Sequence, residues 1–107
     1  MIDYVNVIDQ AVSEPVQAVA YPPNEAPDMP YIIVIDNITR TGGDMHKGMT
    51  IHDITIERYS VDPEPCEALE AVLDTIPAEW TREVMWIPSP ENCFETVYTL
   101  SEILDNT

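Results

Sequence analysis

The strongest evidence for the fold lies in residues 31–60, which read YIIVIDNITRTGGDMHKGMTIHDITIERYS. Its first part is rich in β-branched side chains and predicts a largely buried strand over residues 31–39. In residues 50–60, apolar and polar side chains alternate around Ile54 and Ile56, which predicts a second strand with one buried side. The two strands follow each other closely in the chain, so we expect a long hairpin.

The turn of this hairpin, residues 40–49, contains every glycine of the chain and therefore predicts the bends. Strands of about ten residues reach roughly 33 Å, which is longer than a small domain needs for its own core, so we expect the tip to project. Arg40 and Lys47 are half of the cations in the chain. Two interpretations stay open: ordinary loop solubility, or a contact arm that meets an acidic patch on an identical neighbour or another partner. The candidate contact residues of this arm are Arg40, Thr41, Gly42, Gly43, Asp44, His46 and Lys47.

Two helices are predicted, one on either side of the hairpin in the chain. Residues 1–13 place apolar side chains at helical spacing, and Pro15 ends the pattern. Residues 62–76 begin with Asp62 as the expected N-cap and Pro63 in the first turn. The apolar stripe of this second helix consists of Cys66, Leu69, Val72, Leu73 and Ile76. Each helix therefore has one apolar side that needs to pack against a sheet.

The remaining segments complete that sheet. Residues 14–30 contain five prolines and allow one short extended piece, over residues 16–21. Residues 79–103 predict a second hairpin with its turn at residues 88–92. We therefore expect a single α+β domain over residues 1–107, with a mostly antiparallel sheet of four to five strands, a long projecting hairpin and two covering helices. Four aromatic residues fit either the core or an interface, and we expect at least half of them in the core: Tyr59, Trp80, Trp86 and Tyr98.

The charge balance excludes several classes of partner. The 20 Asp and Glu residues against 4 Lys and Arg give a net charge of -16 at pH 7, which opposes binding to nucleic-acid phosphates and to anionic lipid. Residues 59–107 contain eleven of the carboxylates and only Arg82 as a cation, so a patch complementary to the contact arm exists in the same chain. No apolar run approaches the roughly 20 residues that cross a bilayer, and the N-terminal residues lack the pattern of a secretory signal. We expect an intracellular chain without a membrane partner, in which Cys66 and Cys93 stay free and buried.

Catalysis and metal binding are not indicated. Carboxylates that act as acids and bases need pKa values split by burial, whereas those of this chain mostly alternate with apolar residues on exposed faces. His46 and His52, each with an aspartate nearby, are the only candidate cluster for a soft metal, but the spacing of a zinc site is missing. We therefore expect His46 to be a loop histidine and His52 to lie on a strand face. The sequence contains no nucleophile motif and no phosphate-binding glycine loop. We therefore expect no enzyme activity and no cofactor.

Three segments occur in one order: PYIIV at residues 30–34, IHDITIERY at residues 51–59 and DPEPCEALEAVLD at residues 62–74. With Trp80 and the later YTL strand, they resemble the small tail-terminator or head-tail joining proteins of long-tailed (siphovirus-like) phages and prophages, over about residues 16–103. The strand that ends in IERY is similar to a VELY segment of that family, and the LExxLD helix is similar to the helix that follows it. The residues that carry the pattern are Pro30, Tyr31, Glu57, Tyr59, Leu69, Glu70 and Leu73.

The resemblance implies a structural protein of the virion, found in the tail and neck region after synthesis in the host cytoplasm. Such proteins form a ring, usually of six subunits, that caps the tail tube and joins it to the head. The implied partners are further copies of the chain, the tail tube protein and the head completion or connector protein. DNA would cross the central channel without specific binding, and acidic walls suit this passage because they repel phosphates. The charge alone leaves an alternative open, a DNA mimic that inhibits a DNA-binding enzyme, and mimicry requires carboxylates regularly spaced along one surface.

Overall fold

The computed structural model describes residues 3–22, 25–40 and 48–105. Its elements in chain order are α1 (Tyr4–Ala11), β1 (Val16–Ala18), β2 (Tyr31–Arg40), β3 (Met49–Ser60), α2 (Glu67–Leu73), β4 (Trp80–Ile87) and β5 (Cys93–Asp105). The strands form one sheet in the order β1-β2-β3-β5-β4. β1 runs parallel to β2, and the other neighbouring pairs are antiparallel. The predicted α+β fold, with a mostly antiparallel sheet and two helices, is confirmed.

The sheet has one covered face and one face without a helix. Side chains alternate along a strand, and every even-numbered side chain of β3 from Thr50 to Ser60 is buried. The register places the even-numbered residues of β2, β4 and β5 on the same side, here named the helix face. The core on the helix face consists of Tyr4, Ile8, Ile32, Val34, Ile54, Ile56, Leu69, Leu73, Ile76, Tyr98 and Leu100. The odd-numbered strand residues lie on the other side, here named the open face, where the described residues form no helix.

The two strands of the predicted long hairpin pair along their whole length, from Tyr31 opposite Tyr59 to Arg40 opposite Thr50. Residues 41–47 lie outside the described residues, and with them six of the seven candidate contact residues. The projection of the tip therefore stays a prediction. Arg40 ends β2, and its side chain is exposed.

The first helix, α1, begins and ends inside its predicted range. The Asp3 carboxylate accepts a hydrogen bond from the backbone N–H of Asn6 at 3.2 Å and caps the helix. Tyr4 and Ile8 lie one turn apart and are both buried. Of the apolar residues at the predicted helical spacing, Ile8 is buried and Val5 and Val12 pack against the core, while Ile2 lies outside the described residues. Tyr4 adds a buried ring that the predicted spacing did not include.

The predicted start of the second helix at Asp62 is wrong. α2 begins at Glu67, and Cys66 is its N-cap residue, without a capping hydrogen bond from its side chain. The Asp62 carboxylate instead accepts a hydrogen bond from the backbone N–H of Glu64 at 3.0 Å, in a local turn. The two prolines of this segment disfavour the α conformation in the residue before each of them, so the helix begins only after Pro65.

The apolar stripe predicted for α2 is confirmed. Leu69, Leu73 and Ile76 are buried in the core, and Cys66 packs against it. Cys66 is half-buried and Cys93 is buried, and both are free thiols, as predicted. Burial raises the pKa of both thiols above its usual value.

Candidate functional site

The charged side chains on the open face are the first candidate for a functional surface. Among the strand residues with described side chains, those on this face are Asp53, Glu57, Glu83 and Glu95. The arginines of the described ranges occupy even-numbered positions on the helix face: Arg40, Arg58 and Arg82. The open face of the described sheet is therefore anionic and carries no cation of its own.

An aromatic cluster with two carboxylates lies at one end of the open face. The Tyr59 hydroxyl donates a hydrogen bond to Glu95 Oε2 at 2.6 Å and lies 3.2 Å from Glu57 Oε1. The Tyr31 ring stacks on the Tyr59 ring, with 5.2 Å between the centroids. Burial raises the pKa of Tyr59, and its hydrogen bond to Glu95 raises it further. The fold thus brings together three residues of the resemblance pattern, Tyr31, Glu57 and Tyr59.

The other residues of the pattern lie on or near the helix face. Leu69 and Leu73 are fully buried core residues of α2. The Glu70 carboxylate accepts a hydrogen bond from the Tyr98 hydroxyl at 2.6 Å and a second one from the Arg82 guanidinium. Pro30 comes directly before β2 and is half-buried. The pattern therefore combines packing residues with polar residues from both faces and does not form one catalytic constellation.

Arg58 forms a buried clamp that the sequence did not reveal. Its Nε and Nη2 donate hydrogen bonds to the two carboxylate oxygens of Glu14, at 2.8 and 3.0 Å. Its Nη1 donates to the backbone carbonyl of Glu64 at 3.0 Å. The side chains of Arg58 and Glu14 are only 10% and 14% exposed. The clamp therefore ties β3 to the segment after α1 and to the segment before α2, and the hydrogen bond to Glu14 raises the pKa of Arg58.

A second buried polar cluster lies beneath the start of α1. His52 is fully buried, and its Nδ1 lies 2.9 Å from Asp36 Oδ1. Glu102 is directly opposite His52 in the β3–β5 register and is also buried. Burial raises the pKa of Tyr4, and the nearby Glu102 carboxylate raises it further. His52 Nε2 and one oxygen of Glu102 make no hydrogen bond within the described part of the chain. The prediction that His52 lies on a strand face is confirmed.

The open face also contains a recess of about 630 Å³ between β3, β5 and β4. Four of its polar side chains bond in pairs: the Ser101 hydroxyl donates to Asp53 at 2.6 Å, and the Thr81 and Thr99 hydroxyls are 2.5 Å apart. Within residues 3–22, 25–40 and 48–105, no group of three or more His, Cys, Asp or Glu side chains is arranged to hold a metal ion. In the same ranges, no helix combines the length and the apolar character that crossing a membrane requires.

Sequence reasoning missed the partners of the buried polar side chains. His52 and Arg58 share even-numbered positions with Ile54 and Ile56, so the alternation of β3 already indicated that they point into the core. Their carboxylate partners are 16 and 44 residues away in the chain, and no local pattern connects such positions.

Of the four aromatic residues considered, Tyr98 is buried, Trp80 and Tyr59 are half-buried, and Trp86 is 53% exposed.

The tyrosines make alkaline unfolding a testable consequence of this packing. All five have a pKa raised above the ordinary 10.0, with burial as the first cause. The folded state therefore favours the neutral phenols, and this contribution to stability is complete below pH 10.0 and is lost above it, because the unfolded chain ionises first. We expect tyrosinate absorbance to rise in one step that coincides with loss of near-ultraviolet circular dichroism. The chain unfolded in guanidinium chloride is the control, and gradual ionisation with the native dichroism intact would contradict the expectation.

No protein-family model matches the sequence, and no curated protein matches it.

Proposed function

We propose that the chain is a structural subunit of a phage tail, which assembles into a ring of six copies, caps the tail tube and joins it to the head connector. Its partners are other copies of the chain, the tail tube protein and the connector protein. DNA passes through the channel of the ring without specific binding. The proposal rests on the resemblance of residues 16–103 to tail-terminator proteins, together with the charge distribution of the sheet.

The observation that carries the proposal is the sign of the charge on the open face. Asp53, Glu57, Glu83 and Glu95 face the same side of the sheet, and no described strand residue places a cation there. A wall of this kind repels the phosphates of passing DNA, so the duplex slides without adhering. The net charge of -16 extends the same repulsion around the subunit.

The direct test is assembly with the tail tube protein encoded in the same genome. We expect negative-stain microscopy to show rings at the ends of tail tubes, at moderate salt. Salt matters because subunits of like charge repel each other within a Debye length of about 10 Å at 0.1 M ionic strength. A chain that stays monomeric in the presence of tail tubes would contradict the proposed function. Inhibition of a restriction enzyme or nuclease at stoichiometric concentration would instead favour the DNA mimic.

The predicted contact arm has its own test, the double variant Arg40→Gln with Lys47→Gln. We expect weaker assembly, because the variant removes the cations that would meet carboxylates of a neighbour. The matched control is Gln10→Glu with Ser13→Asp, since both of these side chains are exposed and the net charge changes by the same two units. Equal assembly of the two double variants, measured by sedimentation velocity, would remove the arm from the interface.

A further inference from the structure

The sheet has two edges that the described residues leave without a neighbouring strand. β1 pairs with β2 at Ile32, Ile33 and Val34, so along the outer half of β2, residues 36–40, the side of the strand that faces away from β3 has no strand among the described residues. β4 is the last strand at the other side of the sheet. Exposed strand edges carry rows of unpaired N–H and C=O groups and are templates for pairing with another chain.

The hydrogen bonds to β1 reveal which residues of β2 direct their backbone groups outward. The N–H of Ile32 donates to the Pro15 carbonyl, and the N–H of Val19 donates to the Val34 carbonyl, both at 2.9 Å. The backbone N–H and C=O groups of even-numbered β2 residues therefore point toward the β1 side of the strand. By alternation, the backbone groups of Asp36, Ile38 and Arg40 point toward the free edge.

The antiparallel registers carry this alternation across the sheet. Since odd-numbered residues of β2 bond to β3, the even-numbered residues of β3 bond to β5, and the odd-numbered residues of β5 bond to β4. The even-numbered residues of β4 consequently direct their backbone groups to the outer edge. These residues are Trp80, Arg82, Val84 and Trp86. Both free edges thus present backbone groups of residues whose side chains lie on the helix face.

The β2 edge of one copy and the β4 edge of another can pair as antiparallel strands while the helix faces of both copies stay on the same side. β2, β3, β5 and β4 alternate in direction, so β4 runs opposite to β2. A second copy rotated about an axis along the strands places its β2 antiparallel to β4, with the helix faces on the same side. Directly opposed residues of an antiparallel pair share a face, and the even-numbered residues of both edges meet this condition.

Each of the two edges carries exposed apolar side chains on the helix face, next to the charged Asp36 and Arg40 on β2 and Arg82 on β4. Val84 and Trp86 on β4 are 42% and 53% exposed, and Ile38 on β2 is 48% exposed. Arg40 follows Ile38 on the same face and forms no ion pair within the described ranges, whereas Arg58 and Arg82 do. The edge of β2 therefore brings an exposed apolar side chain and an exposed cation to a subunit with a net charge of -16.

We infer that the outer half of β2 of one copy adds to the edge of β4 of the next copy and continues the sheet from subunit to subunit. The contact is head-to-tail, because it joins two different edges, and repetition of such a contact closes into a ring when the rotation allows it. This inference rests on the proposed function and specifies the surface that builds the ring.

The test compares four variants of the full chain by sedimentation velocity over a series of protein concentrations at moderate salt. Val84→Pro removes a backbone N–H that faces outward, and Val84→Lys and Ile38→Lys place a charge on each edge. We expect each of these three edge variants to weaken self-association at least about tenfold, since each blocks an edge that has to form several backbone hydrogen bonds. Val61→Lys is the matched control, because Val61 is an exposed valine that directly follows β3, the central strand of the sheet. Far-ultraviolet circular dichroism confirms that each variant is folded.

Mixing the two lysine variants tests the head-to-tail arrangement. Val84→Lys keeps an intact β2 edge and Ile38→Lys keeps an intact β4 edge, so an equimolar mixture is expected to form dimers that do not grow, while each variant alone stays monomeric. A symmetric contact between two β4 edges predicts instead that Ile38→Lys associates like the unmodified chain, and this result would overturn the inference.

The outcomes separate this inference from the proposed function. Assembly of all the edge variants like the Val61→Lys control would overturn the inference, and so would an unmodified chain that stays monomeric on its own. If tail tubes still acquire rings in either case, the proposed function stands. If the unmodified chain does not bind tail tubes but the edge variants abolish its self-association, the edge contact is supported and the proposed function fails.

Discussion

Arg58→Met should lower the free energy of unfolding by about 3–5 kcal/mol, because it leaves the Glu14 carboxylate buried without its partner. Both side chains of the pair are largely shielded from water, so solvent cannot replace the lost hydrogen bonds. The carbonyl of Glu64 loses its donor in the same variant. A domain of this size is stable by only about 5–15 kcal/mol, so the change takes a large part of the total.

Urea unfolding followed by circular dichroism measures this loss. The control is Arg82→Met, which breaks the ion pair of Arg82 with Glu70 on the same face, where the Arg82 side chain is 40% exposed. We expect a smaller change there, because exposed ion pairs contribute little. The double variant Glu14→Gln with Arg58→Met should have a higher free energy of unfolding than Arg58→Met alone, because it no longer buries an unpaired charge. Equal effects of the two arginine variants would show that Arg58 is not a buried clamp.

Leu69→Ala should lower the free energy of unfolding by about 2–5 kcal/mol. Leu69 is completely buried, and it lies in the core with Ile54, Ile56 and Tyr98. α2 has seven residues and no side-chain hydrogen bond at its N-cap, and so short a helix is unstable without tertiary packing. Truncation of Leu69 therefore removes core volume and one of the contacts that hold α2 in the core, beside those of Leu73 and Ile76.

Glu67→Gln is the matched control for this variant. Glu67 lies on the same helix with an exposed side chain, and the substitution keeps its size, so the expected change is within about 0.5 kcal/mol. Urea unfolding of both variants gives the comparison. If Leu69→Ala were as stable as Glu67→Gln, α2 would not depend on this contact, and the packing described for the helix face would be wrong.

The strands could be predicted well because their evidence is local. Alternation around Ile54 and Ile56 placed the right side chains of β3 in the core, and β-branched residues placed β2 within one residue of its observed end. The start of α2 could not be predicted as well. Asp62 is a favourable N-cap residue, but the two prolines that follow it disfavour the α conformation in the residues before them, so the helix begins later, at Glu67. The parallel pairing of β1 with β2 depends on how the proline-rich segment returns to the sheet, so no local pattern indicated it.

The candidate surfaces were only partly predictable. The acidic character of the chain follows from counting its charges, but the segregation of Asp53, Glu57, Glu83 and Glu95 onto one face required the register of three strands. The seven candidate contact residues lie around a turn of which the structure describes Arg40 alone. The interface role of Arg40 therefore stays a prediction. The free edge of β2 beside Arg40 could be identified only from the order of the strands in the sheet.

Local sequence patterns were sufficient to predict the type and approximate extent of the helices and strands, because hydrophobic periodicity and turn residues act over a few positions. Tertiary packing, in contrast, determines that β5 lies between β3 and β4, that Arg58 meets Glu14, and which strands form the edges of the sheet. These features join residues far apart in the chain, and they depend on which packing of the elements buries the apolar faces together while satisfying the buried polar groups.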